Sequence, residues 1–186
     1  KQYFSIEGFP PAKSLYLSIF EEKGLHVSKN NSFQLVDPSE ADGNLKSAWE
    51  DAINLIKNNQ DKKFSFTQIF NIWRQPPYGI KNGLMPILAM TIYQIHKSKL
   101  ALFVDDMYFP EVDDYAINRL FNSPDSLSLK YVEVSGIGND ILKKLGAIFS
   151  ENKSHKNKSV LDVTKKIVQY VLDLKPIVKG ADRMKP

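Results

Sequence analysis

Apolar residues recur at helical spacing in several stretches of this sequence, and each stretch predicts an amphipathic helix. In the clearest one, the apolar positions fall at i, i+3, i+4, i+7 and i+11: Leu45, Ala48, Trp49, Ala52 and Ile56. Related patterns predict further helices over 10–24, 65–74, 85–97, 113–121, 141–149 and 160–174. Helices therefore make up most of the predicted structure.

Residues at the helix ends support these spans. Pro10 and Pro11 suit a first helical turn, where a missing backbone N–H loses no partner. Ser65 and Gln68 have the spacing of a capping box, in which each side chain bonds a backbone N–H at the helix start. Asp113 opens a later helix, because a carboxylate is favourable near the positive end of the helix dipole.

Two pairs of short β runs predict hairpins. The polar turn 29–32 separates the first pair, and Asp105-Asp106 separates the second. A fifth strand is expected where the residues alternate after the later helix. The predicted strands are Leu25–Val27, Phe33–Val36, Leu100–Val104, Met107–Phe109 and Leu129–Val134.

The order of these elements predicts the fold class. Helices 45–57, 65–74 and 85–97 precede the hairpin 100–109, and helices followed by a β-hairpin wing are the plan of a winged-helix domain. We therefore expect a mainly α fold with short β-hairpins (α+β), of winged-helix-like type.

A weak internal repeat suggests that winged-helix units stand in tandem. The helix and hairpin of the N-terminal region match the later pair at a constant offset of 75 residues, so that Phe20 corresponds to Ile95 and Leu25 to Leu100. The predicted domains are a partial winged-helix-like unit (helix plus hairpin) at 1–40, a winged-helix-like domain at 41–135, and a helical, basic C-terminal segment at 136–186.

Composition excludes several classes of protein. The chain has 186 residues and no cysteine, so disulfide scaffolds, thiol nucleophiles and cysteine-ligated metals are excluded. No stretch approaches the roughly 18–20 apolar residues that span a bilayer, and we expect no membrane association. The missing cysteine and the missing signal segment agree with a cytoplasmic protein of a bacterium. Both ends of the sequence suggest a piece of a longer polypeptide.

The positive charge is concentrated near the C-terminal end. Residues 1–60 carry a net charge of −2, residues 61–135 carry zero, and residues 136–186 carry +6. The segment 153–158 is basic and polar, without apolar periodicity. It is predicted to be a solvated loop, with contact to nucleic-acid phosphates as the functional alternative.

No pattern of catalytic residues emerges. The histidines His26, His96 and His155 lack the spacing of a zinc site. A phosphate-binding loop is missing, and Gly136-Ile137-Gly138 lacks the third glycine of a dinucleotide fingerprint, so it predicts only a tight turn. We expect no catalytic residue, no cofactor and no metal in this segment.

The densest carboxylates invite a metal hypothesis, which local structure explains more simply. Asp105 and Asp106 have the chemistry of a turn, whereas Asp113 and Asp114 suit a helix N-terminus. Glu111 completes the cluster. Binding of a divalent ion is the alternative.

The helix over 85–97 stands where a winged-helix domain would place its DNA recognition helix. Met85, Leu88 and Met90 make it too apolar for base recognition, so burial or packing against a neighbouring domain is favoured. Any DNA contact is expected to be with phosphates. The candidate phosphate contacts are Lys97, Lys99, Lys153, Lys156 and Lys158.

Three stretches resemble a known family: Gly8–Ile19 with Gly24–His26, Pro76–Leu88, and Ala101–Val112. They are similar to a region of very large bacterial ATP-binding proteins of anti-phage defence islands, of the BREX and Pgl type. The likeness covers most of the chain, but the tail 168–183 fits less well because the family usually has more arginine there.

The resemblance implies a non-catalytic segment of a larger defence ATPase, whose ATP-binding machinery lies elsewhere in the polypeptide. The expected partners are the remainder of that polypeptide or other defence proteins. Sequence-nonspecific binding of double-stranded DNA through the basic C-terminal segment is the alternative.

Overall fold

The computed structural model describes residues 1–39, 43–59, 62–132 and 160–173. Most of the described residues lie in helices joined by short turns. Short 3₁₀ turns at Gln2–Ser5 and Pro124–Ser126 accompany the longer helices. The helices are α1 (Pro11–Tyr16), which continues into a π-helical turn (Leu17–Glu21), α2 (Gly43–Lys57), α3 (Phe66–Arg74), α4 (Met85–His96), α5 (Asp114–Asn122) and α6 (Val160–Asp173).

The described strands form two antiparallel sheets. One is a two-stranded hairpin near the N-terminus, and the other has four strands in the order β3-β6-β4-β5. The strands are β1 (His26–Lys29), β2 (Ser32–Leu35), β3 (Phe64–Ser65), β4 (Leu100–Val104), β5 (Met107–Tyr108) and β6 (Leu127–Tyr131). The mixture of helices with small antiparallel sheets confirms the α+β class.

Strand β6 is the last of the described strands in sequence but lies in the interior of the larger sheet. Leu129 of β6 is opposite Phe64 of β3 on one side and Leu102 of β4 on the other. Helix α5 lies in the connection between β5 and β6, so the chain leaves the sheet at one edge and returns to its interior. Alternate residues of β6 are buried, as expected for a strand with one face on the core.

Local signals at two helix starts work as the sequence predicts. The backbone N–H of Ser65 donates to Oε1 of Gln68 at 2.9 Å, and the capping box of α3 is formed. The Asp113 carboxylate accepts a hydrogen bond of 2.9 Å from the backbone N–H of Ala116 at the start of α5. Both caps fix where a helix begins.

A single hydrophobic cluster joins the N-terminal helix to the larger sheet. Buried residues of α1, its π-helical turn and the following loop belong to the same cluster as those of α2 to α5 and the sheet. Its largest fully buried side chains include Trp49, Trp73, Phe66, Leu25, Ile56, Ile69, Met85, Ile92, Leu102, Leu120, Leu127 and Leu129. The proposed boundary near residue 40 therefore does not interrupt this core.

Trp73 ties α3 to α2. Its ring is 1% exposed, and its indole N–H donates to the backbone carbonyl of Ala48 at 2.7 Å. Trp73 also stacks against Phe70 with ring centroids 6.3 Å apart. This satisfied polar atom lets a large aromatic ring be buried completely.

Two apolar residues of the π-helical turn differ in burial. Leu17 is 36% exposed, whereas Phe20, three residues later, is 8% exposed. The π-helical turn at Leu17–Glu21 adds a residue to the turn and so shifts which side chains face the core.

The predictions for the chain after residue 132 are described only in part by the structure. The helix over 141–149 and the turn at 136–138 lie outside the described residues. The last helix is confirmed at Val160–Asp173, where Leu161 and Val163 are buried. Among the described helices, none combines the length and apolar character needed to cross a membrane.

Candidate functional site

Helix α4, where a winged-helix domain would place its recognition helix, is mostly buried. More than half of its side chains are inside, because apolar residues occur on nearly every side of the helix. The buried ones are Met85, Pro86, Leu88, Ala89, Thr91, Ile92 and Tyr93. Burial raises the pKa of Tyr93 to about 12, so its phenol is neutral near pH 7. Little of this helix is left to enter a DNA groove.

The remaining face of α4 forms one wall of an open apolar groove of about 260 Å³. Ile87, Met90 and Gln94 lie on this wall, spaced so that they share one side of the helix. Helix α5 and the N-terminal region supply the other walls. The lining residues outside α4 are Phe4, Phe20, Leu35, Ile117, Leu120 and Phe121.

Where the N-terminal region lines the groove, the groove adjoins a cluster of aromatic rings. The ring of Phe4 contacts Tyr16 and Phe20 edge-on, with centroids 5.1 and 5.0 Å apart, and His26 at 4.3 Å. The ring of Phe33 also contacts His26, with centroids 5.3 Å apart. We call Tyr16, Phe20, His26 and Phe33 the aromatic nest. Phe4 and Phe20 belong to both the cluster and the groove wall, so the two surfaces are continuous.

The backbone that carries Phe4 is strained. Tyr3, Phe4 and Ser5 have φ angles of 52°, 52° and 64°, in the left-handed region that residues with a Cβ rarely adopt. This conformation costs about 1–2 kcal/mol for each residue. No residue of this turn is fully buried, so burial of the turn itself does not offset that cost. The contacts of the Tyr3 and Phe4 rings with the neighbouring rings must offset it.

His26 is held inside the nest by a hydrogen bond. The hydroxyl of Tyr16 lies 2.6 Å from Nδ1 of His26, and both residues are buried. Burial raises the pKa of Tyr16, so its hydroxyl keeps its proton near neutral pH. The ring of Tyr3 packs edge-on against that of Tyr16 with centroids 5.5 Å apart, which links the strained turn to the buried pair.

Burial lowers the pKa of His26 below its ordinary value of 6.5, and this sets a pH dependence. Because the unfolded chain binds the proton more readily, the free energy of unfolding is highest above pH 6.5 and falls as the pH drops toward the folded pKa. We expect urea denaturation to show this loss as the pH is lowered through the ordinary histidine pKa of 6.5 and below it. His26→Gln, which cannot titrate, should flatten the slope. Equal slopes in the two proteins would contradict the assignment.

The turn between β4 and β5 is acidic but partly neutralised. Arg119 of α5 pairs with Asp105, and Nζ of Lys63 donates to Asp106 at 3.0 Å while lying 4.2 Å from the ring centre of Phe103. A polar cavity of about 370 Å³ lies beside the turn. Its lining is Asp105, Asp106, Arg119, Ser123, Asp125, Ser126 and Ser128.

The carboxylates do not converge as a metal site requires. Among the described residues, no group of three or more acidic or histidine side chains could hold a metal ion. Asp105 and Asp106 have φ angles of 46° and 65°, as a tight hairpin turn needs, and Asp113 caps α5. The simpler interpretation of these residues as turn and cap chemistry agrees with the structure.

A second polar cluster lies where the N-terminal region meets α2 and α4. Oδ1 of Asp37 accepts a hydrogen bond of 2.7 Å from the indole N–H of Trp49 and lies 2.9 Å from Nε2 of His96. Trp49 is 1% exposed, so Asp37 satisfies a donor that water cannot reach. We call this arrangement the Asp37 junction.

Removing the acceptor at the Asp37 junction should destabilise the protein. Asp37→Ala leaves the buried N–H of Trp49 without its partner and is expected to lower the free energy of unfolding by about 1–3 kcal/mol. Asp37→Asn retains a carbonyl oxygen for Trp49 and should cost less. Urea denaturation followed by tryptophan fluorescence measures both. The interpretation fails if Asp37→Ala and Asp37→Asn are equally stable.

The structure describes two of the five predicted DNA contacts. Lys97 and Lys99 are exposed just after α4. Lys153, Lys156 and Lys158 lie outside the described residues. The groove and the aromatic nest were not predicted, because their residues come from separate segments that each have an ordinary amphipathic pattern.

Comparison of the chain with protein-family models, with curated proteins and with solved structures finds no match.

Proposed function

We propose that the chain is a non-catalytic, winged-helix-like interaction module of a larger bacterial anti-phage defence ATPase of the BREX or Pgl type. It contacts other domains, subunits or partner proteins. The family part of this proposal is supported by the resemblance of Gly8–Ile19, Pro76–Leu88 and Ala101–Val112.

The winged-helix part is supported by the order of the central elements. Helices α2, α3 and α4 are followed by β4 and β6, which pair antiparallel along five residues from Leu100 opposite Tyr131 to Val104 opposite Leu127. The pair β4–β6 then corresponds to the wing, with β5 and α5 inserted between its strands. The short β3 pairs with the edge of β6 that is opposite β4.

The observation that carries the proposal is the state of α4. A recognition helix presents polar side chains to base edges, whereas α4 is buried on most sides and presents Ile87 and Met90 to an apolar groove. Apolar grooves of this kind suit protein side chains rather than phosphates.

Charge near the wing also favours a protein partner. The β4–β5 turn exposes Asp105 and Asp106, and the neighbouring loop before α5 exposes Glu111. DNA binding depends mainly on neutralising phosphates with lysine and arginine. Because Arg119 and Lys63 are already paired with Asp105 and Asp106, these two basic side chains are less available to neutralise phosphates.

Sequence-nonspecific DNA binding is the second candidate function. The net charge of +6 over residues 136–186 favours it, since basic segments bind phosphates without reading sequence. Lys97 and Lys99 are two further exposed basic residues.

Fluorescence anisotropy with a mixed-sequence duplex separates the two candidates. For the interaction module we expect affinity weaker than roughly 10⁻⁵ M at near-physiological salt. Tighter binding that falls steeply with salt, and that is lost in Lys153→Glu, Lys156→Glu and Lys158→Glu but kept in the control Lys29→Glu, would instead establish the DNA module.

Site-specific crosslinking tests the protein contact directly. Because the chain has no cysteine, Met90→Cys introduces a unique attachment point for a photoreactive group in the groove. With the labelled chain added to the other domains and subunits of the defence system, we expect crosslinks from position 90 to one of them, identified by mass spectrometry. Lys62→Cys, which is exposed just before β3 and does not line the groove, is the control. Equal crosslinking from both positions would contradict the proposal.

A further inference from the structure

We propose that the aromatic nest and the adjoining groove form a docking site for an aromatic side chain of a partner segment, and that Phe4 occupies this site in the structure as an internal substitute. The inference rests on the proposed function, which it deepens by naming the chemistry of the partner. It commits to one occupant: a protein segment bearing a phenylalanine-like anchor.

The contacts of Phe4 are those that a bound aromatic anchor would make. Its ring meets Tyr16 and Phe20 at interplanar angles of 86° and 79°, the edge-to-face arrangement that aromatic pairs prefer. The imidazole of His26 lies 4.3 Å away on another side of the ring. The site is thus shaped for a flat ring by three rings that are themselves buried.

Phe4 is also poorly secured, as expected of an occupant that can be exchanged. It remains 43% exposed, and its backbone is in the strained left-handed conformation shared by Tyr3 and Ser5. The turn is secured by Ile6 N–H donating to the Tyr3 carbonyl at 2.9 Å and by Lys13 over the Tyr3 ring at 4.5 Å. Releasing the turn relieves strain and exposes the nest.

With Phe4 displaced, the open binding site would be larger than the groove alone. Phe4 and Phe20 line the groove together with Met90 of α4 and Ile117 of α5. Once Phe4 leaves, the surface runs without interruption from the nest to these two helices. An aromatic anchor would fill the nest while neighbouring apolar residues of the partner segment lie along the groove.

Binding of a small aromatic probe tests the site without knowing the partner. The probe is N-acetyl-phenylalaninamide, titrated into the wild type and into Phe4→Ala while NMR follows the side chains of Tyr16, Phe20 and His26. Phe4 competes with the probe for the nest. Its removal should strengthen probe binding about tenfold or more, because a larger fraction of the molecules then has an open nest. The aliphatic analogue N-acetyl-leucinamide should bind Phe4→Ala several-fold more weakly than the aromatic probe.

Phe9→Ala is the matched control. Phe9 is close in sequence and is 91% exposed, and it does not line the groove. This variant should bind the probe no better than the wild type. The proposal is overturned if Phe4→Ala binds no more tightly than Phe9→Ala, or if the perturbed resonances lie away from the nest.

Two further measurements keep the test decisive. If Phe4→Ala does not fold, Phe4→Leu retains apolar contact, and its probe affinity should still exceed that of the wild type. The probe should also raise the melting temperature of the Phe4 variant and leave that of Phe9→Ala unchanged.

Probe binding without crosslinks from Met90→Cys would support the aromatic site and defeat the interaction module, whereas crosslinks without probe binding would defeat only this inference.

Discussion

Replacing Trp73 by alanine is expected to remove about 3–5 kcal/mol from the free energy of unfolding. The indole is fully buried between α3 and α2, so the variant loses a large apolar contact and leaves a cavity. It also removes the donor to the Ala48 carbonyl. Since domains are stable by only about 5–15 kcal/mol in total, much of the stability would be lost.

Urea denaturation followed by circular dichroism measures this loss, with Met107→Ala as the control. Met107 lies in the same central region but is 72% exposed, so its removal should change the free energy of unfolding by no more than about 0.5 kcal/mol. If Trp73→Ala proved as stable as Met107→Ala, Trp73 would not be part of the core.

Leu129→Asp should be more damaging still, with a loss greater than about 4 kcal/mol. Leu129 is fully buried and lies between Phe64 of β3 and Leu102 of β4. A carboxylate there loses the apolar contact and is removed from water without a partner. We expect the variant to lose the cooperative unfolding transition.

The same new residue at the next position provides the control. Lys130 is the residue after Leu129 in β6. Its side chain lies on the opposite face of the sheet and is only half-buried. Lys130→Asp should cost about 1 kcal/mol or less. Similar losses in the two variants would show that β6 does not have its observed position in the sheet.

The helices were predictable from the sequence because their signals are local. The spacing of Ala48, Trp49 and Ala52 predicted α2, and the capping box of Ser65 and Gln68 predicted the start of α3. Such patterns depend on neighbours three or four residues away, which a sequence shows directly. The near-continuous apolar character of 85–97 likewise predicted that α4 is buried rather than free to bind DNA.

The position of β6 could not be predicted in the same way. The strand itself was expected near Leu129, but its neighbours β3 and β4 are distant in sequence. The hairpin 100–109 was expected to be the whole wing, whereas β4 pairs with β5 over two residues and with β6 over five. Pairing between distant strands depends on packing, and alternation alone does not specify it.

The candidate site was missed for a related reason. Phe4, Met90 and Ile117 each belong to a separate segment, and nothing in their local patterns indicates that they line one groove. A run of three left-handed residues without glycine at 3–5 has no sequence signal either. The lysines of 153–158 form a clearer local pattern, and that pattern indicates phosphate contact instead.

The central place of β6 also has a consequence for how the chain matures on the ribosome. Synthesis delivers α2, β3, α3, α4 and β4 before the strand that joins them, so a growing chain carries helices whose sheet is still incomplete. Until residues 127–131 leave the exit tunnel, β3 has no partner strand and one side of β4 is bare. Unpaired strand edges recruit other chains, so this interval is when the nascent protein is most exposed to aggregation and most dependent on chaperones.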